Sequence, residues 1–304
     1  MTLRHMVTPE QGGQAFGDVL RQVFSLSEKL IRRLKKTDGL KIDGVHRFTA
    51  YLVTAGDVLT VELWKLSETC DNIPEDGEIA ILHEEEGFLA VNKPSGTLVH
   101  PSYAKNEGTL ANFVAGYLQN SGQAPVCHVV NRLDRDTTGV VIFAKNTYMK
   151  ARLSAMLTAG EKYYTAVCHG KIDPSAGTID LPIRRIRDHD MERIVATDGK
   201  CAVTHYQTVK TEIRHGQPVS VLDILLETGR THQIRVHSKA RGVPLLGDCL
   251  YFTEESRALS EKLGVFAQLL HCRQLKFCHP LTGKRVEIVA ALPEEMGQVV
   301  GNSE

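Results

Sequence analysis

A chain of 304 residues, 42% of them apolar, is long enough for one sizeable domain and a small companion, with the composition of an ordinary soluble globular protein. Thirty-six basic residues balance thirty-six acidic ones, which argues against a protein that coats nucleic acid with its whole surface. The seven cysteines are scattered and form no CxxC pair, so neither a disulfide framework nor a zinc ribbon is indicated and reduced thiols in a cytoplasm are expected.

The opening MTLRHMVTPEQGG has no apolar core of the kind a secretory signal needs. No apolar run approaches the ~20 residues of a membrane span, so no membrane partner is expected. Locally the charge balance breaks. From Asp18 to Ala50 eight basic residues face four acidic ones, whereas Leu66 to Gly87 holds eight acidic residues and no lysine or arginine. This predicts a small basic module over 1–76, its end an acidic linker, and a larger domain over 77–304.

Within the module, FGDVLRQVF has the spacing of an amphipathic helix. In SEKLIRRLKKTDG, Ser27 suits the cap, Leu30, Ile31 and Leu34 share a face, and Gly39 suits the stop. LKIDGV carries an Asp-Gly turn signal, and AGDVLTVEL reads as a strand. Further on, IAILHEEEGFLAVNKP reads as two strands around an acidic turn, TLANFVAGYLQ as a helix and GVVIFAK as a buried strand. NTYMKARLSAMLTAG reads as a helix capped by Asn146 and stopped by Gly160.

Strands are expected in YYTAVCHG, AVTHYQTVKTEI, VSVLDILLET, LLHCRQLKF and KRVEIVAAL. Helices are too few and too irregularly placed for a doubly wound parallel sheet. An α+β fold follows: a large mixed, mainly antiparallel sheet preceded by a small α/β domain. No fixed-period repeat and no low-complexity segment occurs.

Two segments carry candidate chemistry. In VVNRLDRDTTGVVIFAKN, alternating charges at Arg132, Asp134, Arg135 and Asp136 precede a turn and an apolar strand. The D-x-D-x-[TV] pattern of phosphoaspartyl enzymes fits Asp134, Asp136 and Thr138 loosely. Such enzymes also need downstream acidic residues for Mg²⁺, the chain has no Asp-Asp pair, and Asn131, Arg132 and Leu133 interrupt the strand that should precede Asp134. In LETGRTHQIRVHSKARG, a strand gives way at Arg230 to a helix that Thr231 could cap and Gly242 and Pro244 close, a place to meet an anion. His232 and His237 lie five apart, a poor spacing for zinc.

NRLDRDTTG resembles the H-R-L-D-x-x-T-S-G motif of the RluA-type pseudouridine synthases. KYYTAVCHG, LETGRTHQIRVH, PLLGDCLY, LLHCRQLKFCHPLTG and LAVNKPSGTLVHPS resemble further segments of that family in the expected order, from about Ile79 to about Leu292. The amino-terminal layout is similar to the αL-type RNA-binding module of a small-subunit ribosomal protein, a common attachment in this family. Asn131 and Thr138 depart from the usual histidine and serine, and each keeps a hydrogen-bonding side chain.

The resemblance implies an isomerase that turns uridine into pseudouridine in structured RNA, ribosomal RNA before transfer RNA, as a cytoplasmic monomer. The reaction breaks a glycosidic carbon–nitrogen bond, rotates the uracil and joins its carbon 5 to the ribose, with no redox change, so no cofactor and no metal are expected. Asp134 is implied as the nucleophile, attacking either the uracil or the anomeric carbon. Tyr164 is implied as the ring that stacks on uracil, with an oxygen able to take a proton. Arg230 is implied as the guanidinium that offsets the cost of enclosing the Asp134 carboxylate. Target uridines must leave their stack; Arg132 is implied to hold the vacated space, with Arg135 beside it.

RNA contacts are expected from Arg32, Arg33 and Lys36 in the basic helix. Others are expected from Arg184 and Arg185 in LPIRRIRDHDMERIVATDGK, a run read as a long loop. Two other classes remain: a non-catalytic RNA-binding or ribosome-assembly protein, and the phosphoaspartyl enzyme.

Overall fold

The computed structural model describes residues 1–66, 68–70, 72–101, 106–187 and 190–300. The chain divides into two compact units, Met1–Asp71 with Asn146–Tyr148, and Asn72–Lys145 with Met149–Glu304. Among the described residues no helix is long and apolar enough to cross a membrane.

The first unit contains β1 (Thr2–Met6), α1 (Phe16–Phe24), α2 (Glu28–Lys36), β2 (Leu40–Ile42), β3 (Val45–His46) and β4 (Val58–Glu62). Its sheet runs β1-β4-β2-β3, antiparallel throughout. Ser27 caps α2 by accepting the Leu30 N–H at 3.3 Å. Leu30, Ile31 and Leu34 are buried on one face, leaving Arg32 and Lys36 exposed on the other. Asp43 and Gly44 both take positive φ, 50° and 78°, which is what a two-residue hairpin turn with the native strand twist demands. β1 was not among the expected strands; its alternation is short and mixed with charge. Thr147 joins this unit by donating its N–H and Oγ–H to the Glu68 carboxylate, each at 2.7 Å.

The second unit contains β5 (Ala80–Glu84), β6 (Phe88–Lys93), α3 (Leu110–Asn120), β7 (His128–Val129), β8 (Thr138–Ala144) and most of α4 (Thr147–Ala159). β9 (Glu161–His169), β10 (Ala176–Asp180), β11 (Ile183–Arg185), β12 (Arg193–Val195), β13 (Val203–Arg214) and β14 (Gln217–Leu226) follow. The unit ends with α5 (Gln233–Ala240), α6 (Glu254–Lys262), β15 (Leu270–Cys278), β16 (Arg285–Val289) and α7 (Glu294–Val300). The ten-stranded sheet runs β10-β13-β14-β9-β15-β8-β6-β5, with β16 on β15 and β7 on β8. Among the described residues only β8 and β15 pair in parallel, so the expected mixed, mainly antiparallel α+β sheet is present.

The acidic segment expected to link the two units is instead part of the second from Asn72 onward. Asn72 is buried and donates to the Cys127 carbonyl at 2.9 Å. Asn112 of α3 donates to the Ile73 carbonyl at 2.8 Å, and Glu75 accepts the Gly108 N–H at 2.9 Å. These side chains tie the backbone down along α3, which charge counting does not reveal. The arginine-rich run is likewise an antiparallel hairpin, β11 on β12, with Ile183 opposite Val195.

The parallel seam fixes the strand that leaves the Asp134 loop. It consists of Thr138 beside His271 and Gly139 beside Cys272. Thr138 Oγ donates to His271 Nδ1 at 2.8 Å, while Nε2 of this fully buried ring donates to the Ala290 carbonyl at 3.2 Å. Gly139 has φ +111°, and a Cβ there would sit 2.2 Å from the Cys272 carbonyl oxygen. Backbone strain and a clash with backbone act together, so Gly139→Ala is expected to lower unfolding stability by roughly 3 kcal/mol or more. Urea titration would read this; an unchanged midpoint would mean the seam is not under this constraint.

Candidate active site

The loop between β7 and β8 is held from several sides. Asn131 Nδ2 donates to the Val140 carbonyl at 3.0 Å and its Oδ1 accepts the Ile142 N–H at 2.8 Å, so this residue, standing where the motif it resembles has histidine, pins the loop to β8. The Thr137 N–H donates to the Asp134 carbonyl at 3.2 Å, closing a turn. Lys93, fully buried at the end of β6, donates its ammonium to the carbonyls of Pro94 (2.8 Å), Thr97 (2.8 Å) and Arg135 (2.5 Å). Burial pulls Lys93 down to about 8 against the attraction of Asp136 and Asp134.

Asp134 is half-buried, and its partner is Arg235. Arg235 Nη1 donates to Asp134 Oδ2 at 3.0 Å. The same guanidinium presents Nε and Nη2 to both oxygens of Asp248, at 2.7 and 2.8 Å. Asp248 Oδ1 also accepts the N–H groups of Leu250 and Tyr251, both at 2.9 Å. Burial opposes the Arg235 charge, but Asp248 and then Asp134 more than offset it, so the group stays charged. Burial likewise opposes the Asp248 carboxylate, and its bonds to Arg235 hold it below the usual range. The Arg235 guanidinium stacks on the Tyr251 ring at 5.0 Å.

The expected Arg230–Asp134 pairing is therefore corrected. Arg230 precedes the helix, is exposed, and donates its Nε to the Cys201 carbonyl at 2.9 Å. Its backbone N–H donates to Gln233 Oε1 at 2.9 Å. That buried glutamine also binds Thr228, Val203 and Thr204, so it stitches the turn in place. The helix N-cap is His232, at φ 58°, and not Thr231. Starting there, α5 turns Arg235 inward beside Ile234 and Val236, which are buried as well.

Tyr164 lies on β9, buried, with Ile224 as its cross-strand neighbour. Burial, then the neighbouring Cys272 and Asp134, pushes its phenol well above 10, which keeps it neutral. Arg132 is exposed two residues before Asp134. Arg135 is committed to Asp136 by a two-pronged bond at 2.9 and 3.0 Å. Arg184 donates to Asp198 and to the Arg185 and Ile186 carbonyls, so it shapes the hairpin that exposes Arg185. His237 binds Thr204 and the Leu181 carbonyl, and among the described residues no group of metal-ligand type clusters. Lys93, Arg235, Asp248 and Tyr251 were not singled out in the sequence, and His232 was weighed there only as a zinc ligand. The signal available was a charged residue within an apolar segment, as in LAVNKPSG and PLLGDCLY.

Comparison with known proteins gives this geometry a setting. The sequence profile of the RNA pseudouridylate synthase family matches residues 87–240. An uncharacterized RNA pseudouridine synthase of Bacillus subtilis is 34% identical over 97% of this chain and 95% of its own length. The ribosomal large subunit pseudouridine synthase D of Pseudomonas aeruginosa is 34% identical over 94% of this chain and 91% of its own. The solved structure of human RNA pseudouridylate synthase domain containing 4 superposes with a TM-score of 0.57 at 26% identity, covering 71% of this chain and 90% of that one.

The two arginines separate in one experiment. A lysine at position 235 reaches one carboxylate and leaves the other enclosed without its fork. Arg235→Lys should therefore lower stability by about 3 kcal/mol and single-turnover product formation by roughly a hundredfold. Arg230→Lys should leave both within a few-fold. A larger loss of turnover in the Arg230 variant would return the electrostatic role to that residue.

Proposed function

The chain belongs to the RNA pseudouridylate synthase family, and from that premise we propose that it isomerises uridines in structured large-subunit ribosomal RNA with Asp134 as its nucleophile. The observation that carries the assignment of the nucleophile is the Arg235 fork. It pairs with Asp134 through one nitrogen while Asp248 takes the other two, so the reactive carboxylate is oriented without being enclosed. Transfer RNA is the second substrate reading, and ribosomal RNA is preferred because a relative alignable over nearly the whole chain carries that specificity in its name. The same match, with a carboxylate held in this way, supports an enzyme over a purely RNA-binding protein.

The chemistry asks for little else. The glycosidic bond between the anomeric carbon and uracil nitrogen 1 breaks, and a bond from the anomeric carbon to carbon 5 forms. The proton lost at carbon 5 is matched by one gained at nitrogen 1. A carboxylate that bonds transiently to the ring or to the sugar and is then released serves both routes. Tyr164 provides a neutral ring for stacking on the flipped base, and Arg132, exposed beside the loop, suits the space the base leaves. No cofactor enters this scheme. We assign the protein to the cytoplasm as a monomer.

Asp134→Asn keeps size and most hydrogen bonds while removing the charge. Pseudouridine formation should vanish while RNA affinity stays within a few-fold, as read by mapping pseudouridines in total RNA with and without the active protein. Parental product levels from the Asn variant would end the assignment; modification confined to transfer RNA would overturn the substrate.

The first unit's part is electrostatic. Arg32 and Lys36 are exposed on α2 away from the Leu30–Leu34 face, and Arg33 beside them is half-buried. Replacing all three with Gln should flatten log affinity against log salt by about 0.7–0.9 for each phosphate that the variant no longer neutralises. Turnover at saturating RNA should stay near parental. An unchanged slope would remove α2 from the RNA interface.

A further inference from the structure

Behind Asp134 a short chain of hydrogen bonds has a fixed direction. The Arg193 backbone N–H, which can only donate, points at the Tyr251 hydroxyl oxygen at 2.7 Å. That oxygen lies 2.8 Å from His232 Nδ1. Among the described residues Nδ1 is the acceptor within reach of the hydroxyl proton, so Tyr251 donates to it while its oxygen accepts from Arg193. Burial pushes the Tyr251 phenol up to about 12, so it keeps that proton. An imidazole that accepts at Nδ1 carries its own proton on Nε2. Nε2 lies 3.7 Å from Asp134 Oδ2, with the His232 side chain only 10% exposed.

Two further observations show that the ring is aimed. His232 holds φ 58°, a left-handed conformation that residues with a Cβ rarely adopt and that the surrounding structure must impose. Its side chain makes no cap bond to α5, so the geometry serves the ring's direction and not the helix end. The ring also meets Tyr251 edge to face, with centroids 5.5 Å apart. The charged groups around it are Asp134 and Asp248, which favour an imidazolium, and Arg235 and Arg193, which oppose it. Burial is the largest influence, and the net effect lowers the imidazole below 6.5.

We propose that His232 is a positioning residue, presenting Nε2–H to Asp134 Oδ2 so that Arg235 and His232 together hold that oxygen and leave Oδ1 as the atom that attacks. At 3.7 Å the contact is longer than a hydrogen bond, and such contacts tighten when substrate closes a site. Arg235 already binds Oδ2, so both donors converge on one oxygen. The carboxylate is thereby made asymmetric. The bond Oδ1 forms is released before product leaves, so the isomerisation stays balanced. This rests on Asp134 being the nucleophile.

The test combines a spectroscopic and a kinetic measurement on the full chain. In protein labelled with ¹⁵N-histidine, the His232 resonances, identified by their loss in His232→Gln, should show a protonated Nε2 and a bare Nδ1 at neutral pH. In Tyr251→Phe the preference should collapse toward a mixture. His232→Ala should lower kcat by about tenfold, the worth of one hydrogen bond, with KM within twofold. His232→Gln, whose amide replaces Nε2–H, should recover most of the loss, and His232→Asn, whose amide sits at the Nδ1 position, should not. The parental kcat should also fall as pH drops through the imidazole's titration, because a second N–H must then face Tyr251, and this step should be missing in the Gln variant. A proton on Nδ1, or equal kcat in the Ala and Gln variants, overturns the proposal. If Asp134→Asn is inactive while His232→Ala keeps parental kcat, only the His232 inference falls; an active Asp134→Asn removes the nucleophile itself.

Discussion

A guanidinium enclosed between two carboxylates is the constraint around which the catalytic unit is arranged. Arg235 and Asp248 are 7% and 0% exposed at their side chains, and Asp134 is 26% exposed. None of the inner groups would survive burial alone, since an unpaired charge costs several kcal/mol after relaxation. Their mutual attraction, plus two backbone N–H groups on Asp248, makes the burial tolerable. The first turns of α5, the turn after Leu246 and the loop before β8 must therefore meet at one point. The gradient of exposure along the triad sets function: the inner carboxylate anchors the arginine, and the arginine anchors the outer carboxylate.

The backbone under Asp134 is held as firmly as its side chain. Lys93 brings a second buried cation, directed at carbonyls and not at a carboxylate, one of them that of Arg135, the residue after Asp134. Asn131 fixes the loop's entry and the Thr138–Gly139 seam its exit. In charge terms, Lys93 and Arg235 face Asp134 and Asp248, while Arg135 and Asp136 cancel each other locally. A loop anchored by backbone contacts at both ends and a buried ammonium in its middle loses little further freedom when substrate arrives, which is the condition for keeping a reacting atom within tenths of an ångström.

The fold was legible wherever one periodicity ruled a segment. β8 and β14 read as strands because their apolar runs are long, and α2 because its cap, face and stop agree. The arginine hairpin was hidden because β11 and β12 are three residues each and carry three arginines between them, too short and too charged to read as strands. Asp134 was legible as part of a motif, but its partner was displaced by five residues. At the strand-to-helix junction a helix N-terminus is the natural place for an anion, which favoured Arg230. Which face of α5 turns inward depends on Gln233 binding the turn behind it, and single-sequence periodicity over so short a helix cannot show that. Lys93 escaped for a similar reason: a lysine before a proline reads as a solvated strand end, and only the three converging carbonyls explain it.

The division of labour among arginines bears on how a chain of zero net charge can hold a polyanion. Arg235, Arg193, Arg184 and Arg135 are already engaged with carboxylates or carbonyls of their own unit, and salt-bridged cations offer little extra attraction at a distance. Among the described residues, exposed basic side chains outside such pairs include Lys36 on α2, Arg132 two residues before Asp134 and Arg187 after β11, while the exposed Arg32 lies 3.8 Å from Glu28. Association with RNA scales with such presented charges and not with the total. A neutral chain with its inner arginines reserved for structure can thus combine salt-sensitive binding with a rigid, internally neutralised site, because different arginines carry the two tasks.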